Sequence, residues 1–325
     1  MTGTQTISHP TTVSTTAPTR GAGTVDLRDH EFFVLVGAMK AGTTSLAAYL
    51  GRHPRVVMAS RKEPQFFSRD EIYSRGMDWY AGLFAGCQPE HVLGEASTCY
   101  SRHATYPRAA ERLHEHLPHA RLVYLLRHPV ERLYSQYVYN MQTLVIDWGG
   151  SAITFDQYVR ENEEAMDASN YSAQIERYTR FFDASRLHCV LFDELFSTST
   201  NASNGLFTFL QLEHASIGTL SQVHEKKRTS AITRRKANAL LSRLRNSFLT
   251  KQLADIVPKP ARPRLRKAAH KILTQSSYGR SETAQFFQSL PKLSAASRKS
   301  LCQHFRPSVL KLEEFLGRRL AHWLD

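Results

Sequence analysis

The stretch Gly37-Ala38-Met39-Lys40-Ala41-Gly42-Thr43-Thr44-Ser45 directly follows the apolar run Phe32-Phe33-Val34-Leu35-Val36. A Gly-x4-Gly loop between a buried strand and a helix is a phosphate cradle. Glycine lets the backbone curl until successive N–H groups point inward, and the helix N-terminus adds partial positive charge. Magnesium-dependent nucleoside triphosphatases continue such a loop with Gly-Lys-Ser/Thr, where the lysine reaches the terminal phosphates and the hydroxyl holds the metal. Here Thr43 stands at the lysine position, and the one lysine, Lys40, lies inside the loop. Leu191-Phe192-Asp193 is the sole, weak match to a metal-holding aspartate after an apolar run. The expectation is an anion handled without magnesium.

Glu95 comes directly after Val92-Leu93-Gly94. Parallel sheets assemble their sites at the C-terminal ends of strands, and a carboxylate there can take the proton from an attacking hydroxyl or amine. His103 is the rival base nearest along the chain. Arg127 closes the run Leu122-Val123-Tyr124-Leu125-Leu126, and Ser135 lies about two turns into a helix that opens on Pro129. An arginine at a strand tip and a hydroxyl from the next helix suit a shared grip on one phosphate. Arg132, in the same helix, reads as a solvated or ion-paired residue.

These side chains need a frame. Four short apolar runs read as buried strands: Phe32–Val36, 91–94, 122–126 and 187–192. Continuous aliphatic runs of this length suit a parallel sheet covered on both faces. Helical patterns lie between and around them, at Thr43–Leu50, at 129–141, at 172–182 and at 205–212. Strand–helix alternation with short connections predicts a three-layer α/β/α sandwich with a central parallel sheet. Residues 1–26, rich in Thr, Ser, Gly and Pro, read as a disordered tail, and 27–325 as a single domain.

Further motifs carry a resemblance. Lys40-Ala41-Gly42-Thr43-Thr44-Ser45-Leu46 resembles the 5′-phosphosulfate loop of sulfotransferases that use 3′-phosphoadenosine 5′-phosphosulfate (PAPS). Lys62-Glu63-Pro64-Gln65-Phe66-Phe67 and Gly94-Glu95-Ala96-Ser97-Thr98-Cys99-Tyr100 resemble segments of the heparan N-sulfotransferase-like branch, which bacterial sulfotransferases share. Arg127-His128-Pro129-Val130-Glu131-Arg132-Leu133-Tyr134-Ser135 is similar to the family's 3′-phosphate motif, and Tyr171 to Tyr178 to its helix before the fourth strand. The C-terminal stretch from Ser297 to Gly317, with Trp323, resembles the family's last helices. The resemblance implies a P-loop-containing, nucleoside triphosphate hydrolase-like fold and PAPS as sulfuryl donor, with no metal. It implies that Lys40 stabilises the leaving phosphosulfate oxygen and that Lys40, Ala41, Gly42, Thr43, Thr44 and Ser45 hold the 5′-phosphosulfate. By the same resemblance Arg127 and Ser135 hold the 3′-phosphate, Glu95 is the general base, and the acceptor is a hydroxyl of a small molecule, glycan or glycolipid. Tyr171, Ser172 and Gln174 fall on its adenine-side helix, and Phe66 and Phe67 near its acceptor cleft. A basic loop of the family closes over the nucleotide, a task that Lys226, Lys227 or Arg228 would take here, although its Arg-Lys-Gly trio is missing.

Charge narrows the choice of partner. The chain of 325 residues carries a formal net charge of +13, and 42% of it is hydrophobic, ample for a core. Between His224 and Lys271 there are 15 basic and two acidic side chains, so this segment holds the whole excess. A diffusely basic nucleic-acid coat is excluded, and residues 224–271 read as a basic helical flap suited to phosphates, an anionic acceptor or peripheral contact with an anionic membrane. The four cysteines, Cys87, Cys99, Cys189 and Cys302, form no CxxC pair, which argues against a zinc site or a disulfide framework. No apolar run is long enough to span a bilayer and no signal peptide is recognisable, so the expected compartment is the cytoplasm. A P-loop kinase and a non-enzymatic anion- or membrane-binding adaptor are the alternatives.

Overall fold

The computed structural model of the chain describes residues 25–147, 151–196, 201–215, 217, 220 and 290–325. The tail up to residue 24, the basic flap and Arg228 lie outside the described residues. Five parallel strands form one sheet: β1 (Phe32–Gly37), β2 (Val56–Met58), β3 (Val92–Ala96), β4 (Arg121–Leu126) and β5 (Leu187–Leu191). Their order is β2-β3-β1-β4-β5. The two central runs, Phe32–Val36 and Leu122–Leu126, are wholly buried, as their continuous apolar sequences require. The sequence does not signal β2, because three residues, Val56-Val57-Met58, are too few to show a pattern.

The order of strands decides where the helices go. From β1 the chain moves outward past β3 to β2, then returns across the sheet to β3, β4 and β5. Right-handed crossovers in opposite directions put their helices on opposite faces. Helix α1 (Thr43–Leu50) therefore covers one face, while α2 (Ala109–His116), α3 (Pro129–Gln142) and α4 (Tyr171–Thr179) cover the other. On the α1 side, Phe207 of α5 (Asn201–Phe209) stacks on Tyr49. On the other, Ser308 of α6 (Ala295–Leu316) accepts from the amide of Ser172 and bonds its hydroxyl. The sandwich is the predicted one. Helix α5 begins and ends a few residues before the predicted 205–212.

At β1 and β4 the chain leaves the sheet in opposite directions, which opens a crevice at their carboxyl ends. The loop from Gly37 to Gly42 emerges from one strand and Arg127 from the other.

Candidate active site

The loop after β1 is shaped by what surrounds it. A Cβ at Gly37 would stand 1.9 Å from Ser101 Oγ, so only glycine lets the loop leave β1 against that residue. Gly42 has φ +93°, and a Cβ there would meet the Phe196 ring at 2.6 Å. Helix α1 starts immediately after it, with Ser45 N and Leu46 N both donating to Gly42 O. Ala41, Thr43 and Ser45 are buried and Thr44 is half-buried, so the motif packs as the wall of a cradle. Lys40 sits at the crest in the left-handed region, φ 71°, and its ammonium lies 4.5 Å from the centre of the Tyr139 ring.

Arg127 meets this loop from β4. Its Nη1 donates to the Lys40 carbonyl at 3.3 Å, its guanidinium lies 5.1 Å from the centre of the Phe192 ring, and Nη2 is 3.9 Å from Glu131 Oε2. Its backbone is fixed by Tyr171, whose hydroxyl donates to the Arg127 carbonyl at 2.7 Å. Helix α3 begins at Pro129, and His128 caps it by accepting from Val130 N at Nδ1. Four-residue spacing lines up Glu131, Ser135 and Tyr139 along one face of α3. Glu131 pairs with Arg127 and Tyr139 with Lys40, so half-buried Ser135 stands between the two cations' contacts. Two cations, the N-terminus of α1 and a curled glycine loop form a donor set that fits a phosphorylated, sulfated nucleotide.

Glu95 lies on β3, paired to Val34 of β1, and its exposure is 0%. Ser97 Oγ donates to Glu95 Oε2 at 3.0 Å and itself accepts from Gln65 N at 3.0 Å. Glu95 Oε1 and the Tyr80 hydroxyl, both buried, have no hydrogen-bond partner among the described residues. Burial pushes the carboxyl up to about 7. The hydroxyls of Tyr100, Ser97 and Tyr80 offset part of that, those of the two tyrosines without closing hydrogen-bond geometry, and the charge of nearby Glu63 adds to it. Glu63 itself is half-buried, at φ 48°, in the loop that Gln65 ties down onto Ser97.

The family model described as "Sulfotransferase domain" matches residues 31–254. The chain belongs to the sulfotransferase family. It is 39% identical over 115 residues to the membrane-associated sulfotransferase kil1 of Dictyostelium discoideum, covering 34% of this chain and 23% of that protein. It is 28% identical over 175 residues to mouse heparan sulfate glucosamine 3-O-sulfotransferase 5, covering 50% and 48% of the two chains. The bifunctional heparan sulfate N-deacetylase/N-sulfotransferase of Drosophila melanogaster is 27% identical over 207 residues, 56% of this chain and 20% of that protein. The chain thus spans no more than about half the length of these curated relatives. Among solved structures, a sulfotransferase from Alicyclobacillus acidocaldarius superposes with a TM-score of 0.58 at 22% identity, covering 91% of this chain and 99% of that one. That likeness is one of fold.

Membership of the sulfotransferase family sets aside the kinase reading. Within the candidate site the structure brings Lys40, Arg127 and the Gly42–Ser45 turn together and places Ser135 on the same face as Glu131 and Tyr139. It departs from three expectations. Glu95, read as the base that meets the acceptor, is closed off from solvent completely. Arg132, read as solvated or ion-paired, is fully buried and makes no ion pair among the described residues. Phe66 and Phe67 belong to the core, in a T-shaped pair with ring centres 5.1 Å apart, and do not line a cleft. Tyr171 is core as well, and its hydroxyl serves Arg127. His103 is half-buried, and burial with Arg177 nearby pushes its proton affinity down. All four cysteines are free thiols, and no helix among the described residues is long and apolar enough to cross a membrane. Tyr139 and Phe192, the ring faces under Lys40 and Arg127, were missed; Tyr139 was findable one helical turn beyond Ser135.

Proposed function

We propose that this chain is a PAPS-dependent sulfotransferase that moves a sulfuryl group to a hydroxyl of a small molecule, glycan or glycolipid. The carrying observation is the bond from Arg127 to the Lys40 carbonyl, which fastens a second cation to a phosphate loop lacking the lysine of triphosphatases. When bound, the donor supplies a sulfuryl group whose departure leaves negative charge on the bridging phosphate oxygen. Lys40, at the crest of the loop, meets that charge and stabilises the transition state more than the ground state. Ala41, Gly42, Thr43, Thr44 and Ser45 hold the 5′-phosphosulfate, and Arg127 and Ser135 hold the 3′-phosphate, with Arg228 of the basic flap as a further contact.

Proton removal divides between two carboxyls. Glu63 is half-buried and keeps some exposure to solvent, whereas Glu95 is fully buried. In this reading Glu63 takes the acceptor proton as the oxygen–sulfur bond forms, and Glu95 acts through Ser97 on the loop carrying Glu63. Hydroxyl and amine acceptors are both met among the relatives' printed names, 3-O- and N-sulfotransferases. Incubating the protein with labelled donor and panels of hydroxyl and amine acceptors, chelator present, tests the reaction. Expected is label on a hydroxyl acceptor together with 3′-phosphoadenosine 5′-phosphate (PAP). No transfer, or magnesium-dependent use of ATP, would overturn it.

A further inference from the structure

Arg132 is a cation with no counter-charge among the described residues. It is 0% exposed, and its four hydrogen bonds to described residues all go to neutral acceptors. Nε donates to Ser169 Oγ at 2.7 Å and Nη2 to the Ala165 carbonyl at 2.6 Å. Nη1 donates to Gln136 Oε1 at 2.6 Å and to the Met39 carbonyl at 3.3 Å. A buried charge without a charged partner among the described residues is costly, and apolar residues of similar volume often replace such a charge without loss of stability. Arginine does not escape by losing its proton.

The fourth bond explains the position. Met39 precedes Lys40, and the Met39–Lys40 peptide is trans, so its carbonyl and N–H point in opposite directions. Holding the carbonyl on Arg132 turns the Lys40 amide away from the buried guanidinium. The next carbonyl, that of Lys40, is held by Arg127. The two peptides flanking Lys40 are therefore each fixed by an arginine, and between them Lys40 keeps a left-handed conformation that costs a non-glycine residue about 1 kcal/mol.

We propose that Arg132 is a positioning residue of the donor site, fixing the Met39–Lys40 peptide and lending the loop a buried positive charge that the bound donor's anionic groups neutralise. This rests on the donor reading above. In a region of low dielectric an unneutralised charge acts over a longer distance than a solvated one.

The test compares the wild type with Arg132→Met, which removes charge and fork, and Arg132→Lys, which keeps the charge alone. PAP binding is measured by titration calorimetry, kcat with labelled donor, and folding by thermal unfolding. Expected for R132M is a PAP Kd raised by about tenfold or more, the scale of one hydrogen bond to a charged group, with kcat lowered as well. R132K should recover much of the Kd and little of the kcat, because one ammonium cannot reproduce the fork. A purely structural arginine would lower Tm in both variants and leave Kd and kcat per folded molecule at wild-type values, which overturns the proposal. If R132M does not fold, R132K decides alone: lowered kcat with near-native Kd supports the role, and unchanged kcat removes it. A wild type that binds no PAP overturns the donor reading and this inference with it, whereas binding that the variants share overturns the inference alone.

Discussion

Arg127 Nη1 and the Lys40 carbonyl lie 3.3 Å apart, although 87 residues separate them in the chain. The bond bridges the crevice between β1 and β4 and makes the tip of one strand a clamp on the loop after the other. Arg127 thus has two tasks, holding an anion and holding Lys40 in place. Arg127→Lys keeps the charge and loses the fork, so it should raise the donor KM and lower kcat together, each by about tenfold or more. Initial-rate kinetics over a donor series checks this; a change confined to KM would limit Arg127 to binding.

Lys40→Met should separate binding from chemistry. The charge that Lys40 meets develops as the bridging oxygen leaves, so kcat should fall by about a hundredfold or more. PAP affinity should change far less, because Arg127 and the amides at the start of α1 remain. Tyr139→Phe keeps the ring face beneath the ammonium and should cost little. Turnover with donor, set beside titration with PAP, distinguishes the cases.

The two carboxyls should part company on mutation. Glu63→Gln is expected to abolish transfer, by about a hundredfold or more, and to spare PAP binding. Glu95→Gln keeps the size of the buried side chain and its bond with Ser97, so transfer should fall only severalfold. The reverse ranking would restore Glu95 as the base and imply a conformation that uncovers it.

Glu95 also makes a stability prediction. Its carboxyl is raised from 4.5 to about 7 in the folded protein, so the folded state holds this proton where the unfolded state has released it. Stability from this group is full below pH 4.5, falls as pH rises toward 7, and is lost above that; the fall is on the order of 3 kcal/mol. Thermal unfolding from pH 4.5 to 8 should show the difference between wild type and Glu95→Gln changing across that window in favour of the variant. A constant difference would mean that the carboxyl is not raised.

The parts of the site that were legible in the sequence are those that follow from local chemistry. A glycine loop after an apolar strand, an arginine after another and a proline-opened helix each mark their own place, and the parallel sheet followed from runs such as Leu122–Leu126. Burial of polar groups was not legible, because it depends on what the fold lays over them. Glu95 and Ser97 look like a strand end open to water until the loop through Glu63 and Gln65 closes above them. Arg132 looks like an exposed helix residue until the segment containing Ala165 and Ser169 folds over it. A helical period cannot say which polar side chain will be covered by a distant stretch of chain.

Trp323 packs at a tilt against both His128 and Tyr171, with ring centres 6.1 Å from each. His128 caps the helix carrying Ser135, and Tyr171 grips the backbone of Arg127. The family match stops at residue 254, yet this indole lies far beyond it. A fragment cut where the match ends would lose α6 and strip the cover from His128 and Tyr171, and so from the supports of Ser135 and Arg127. Boundaries for expression should therefore follow the packing of Trp323 and not the extent of sequence similarity.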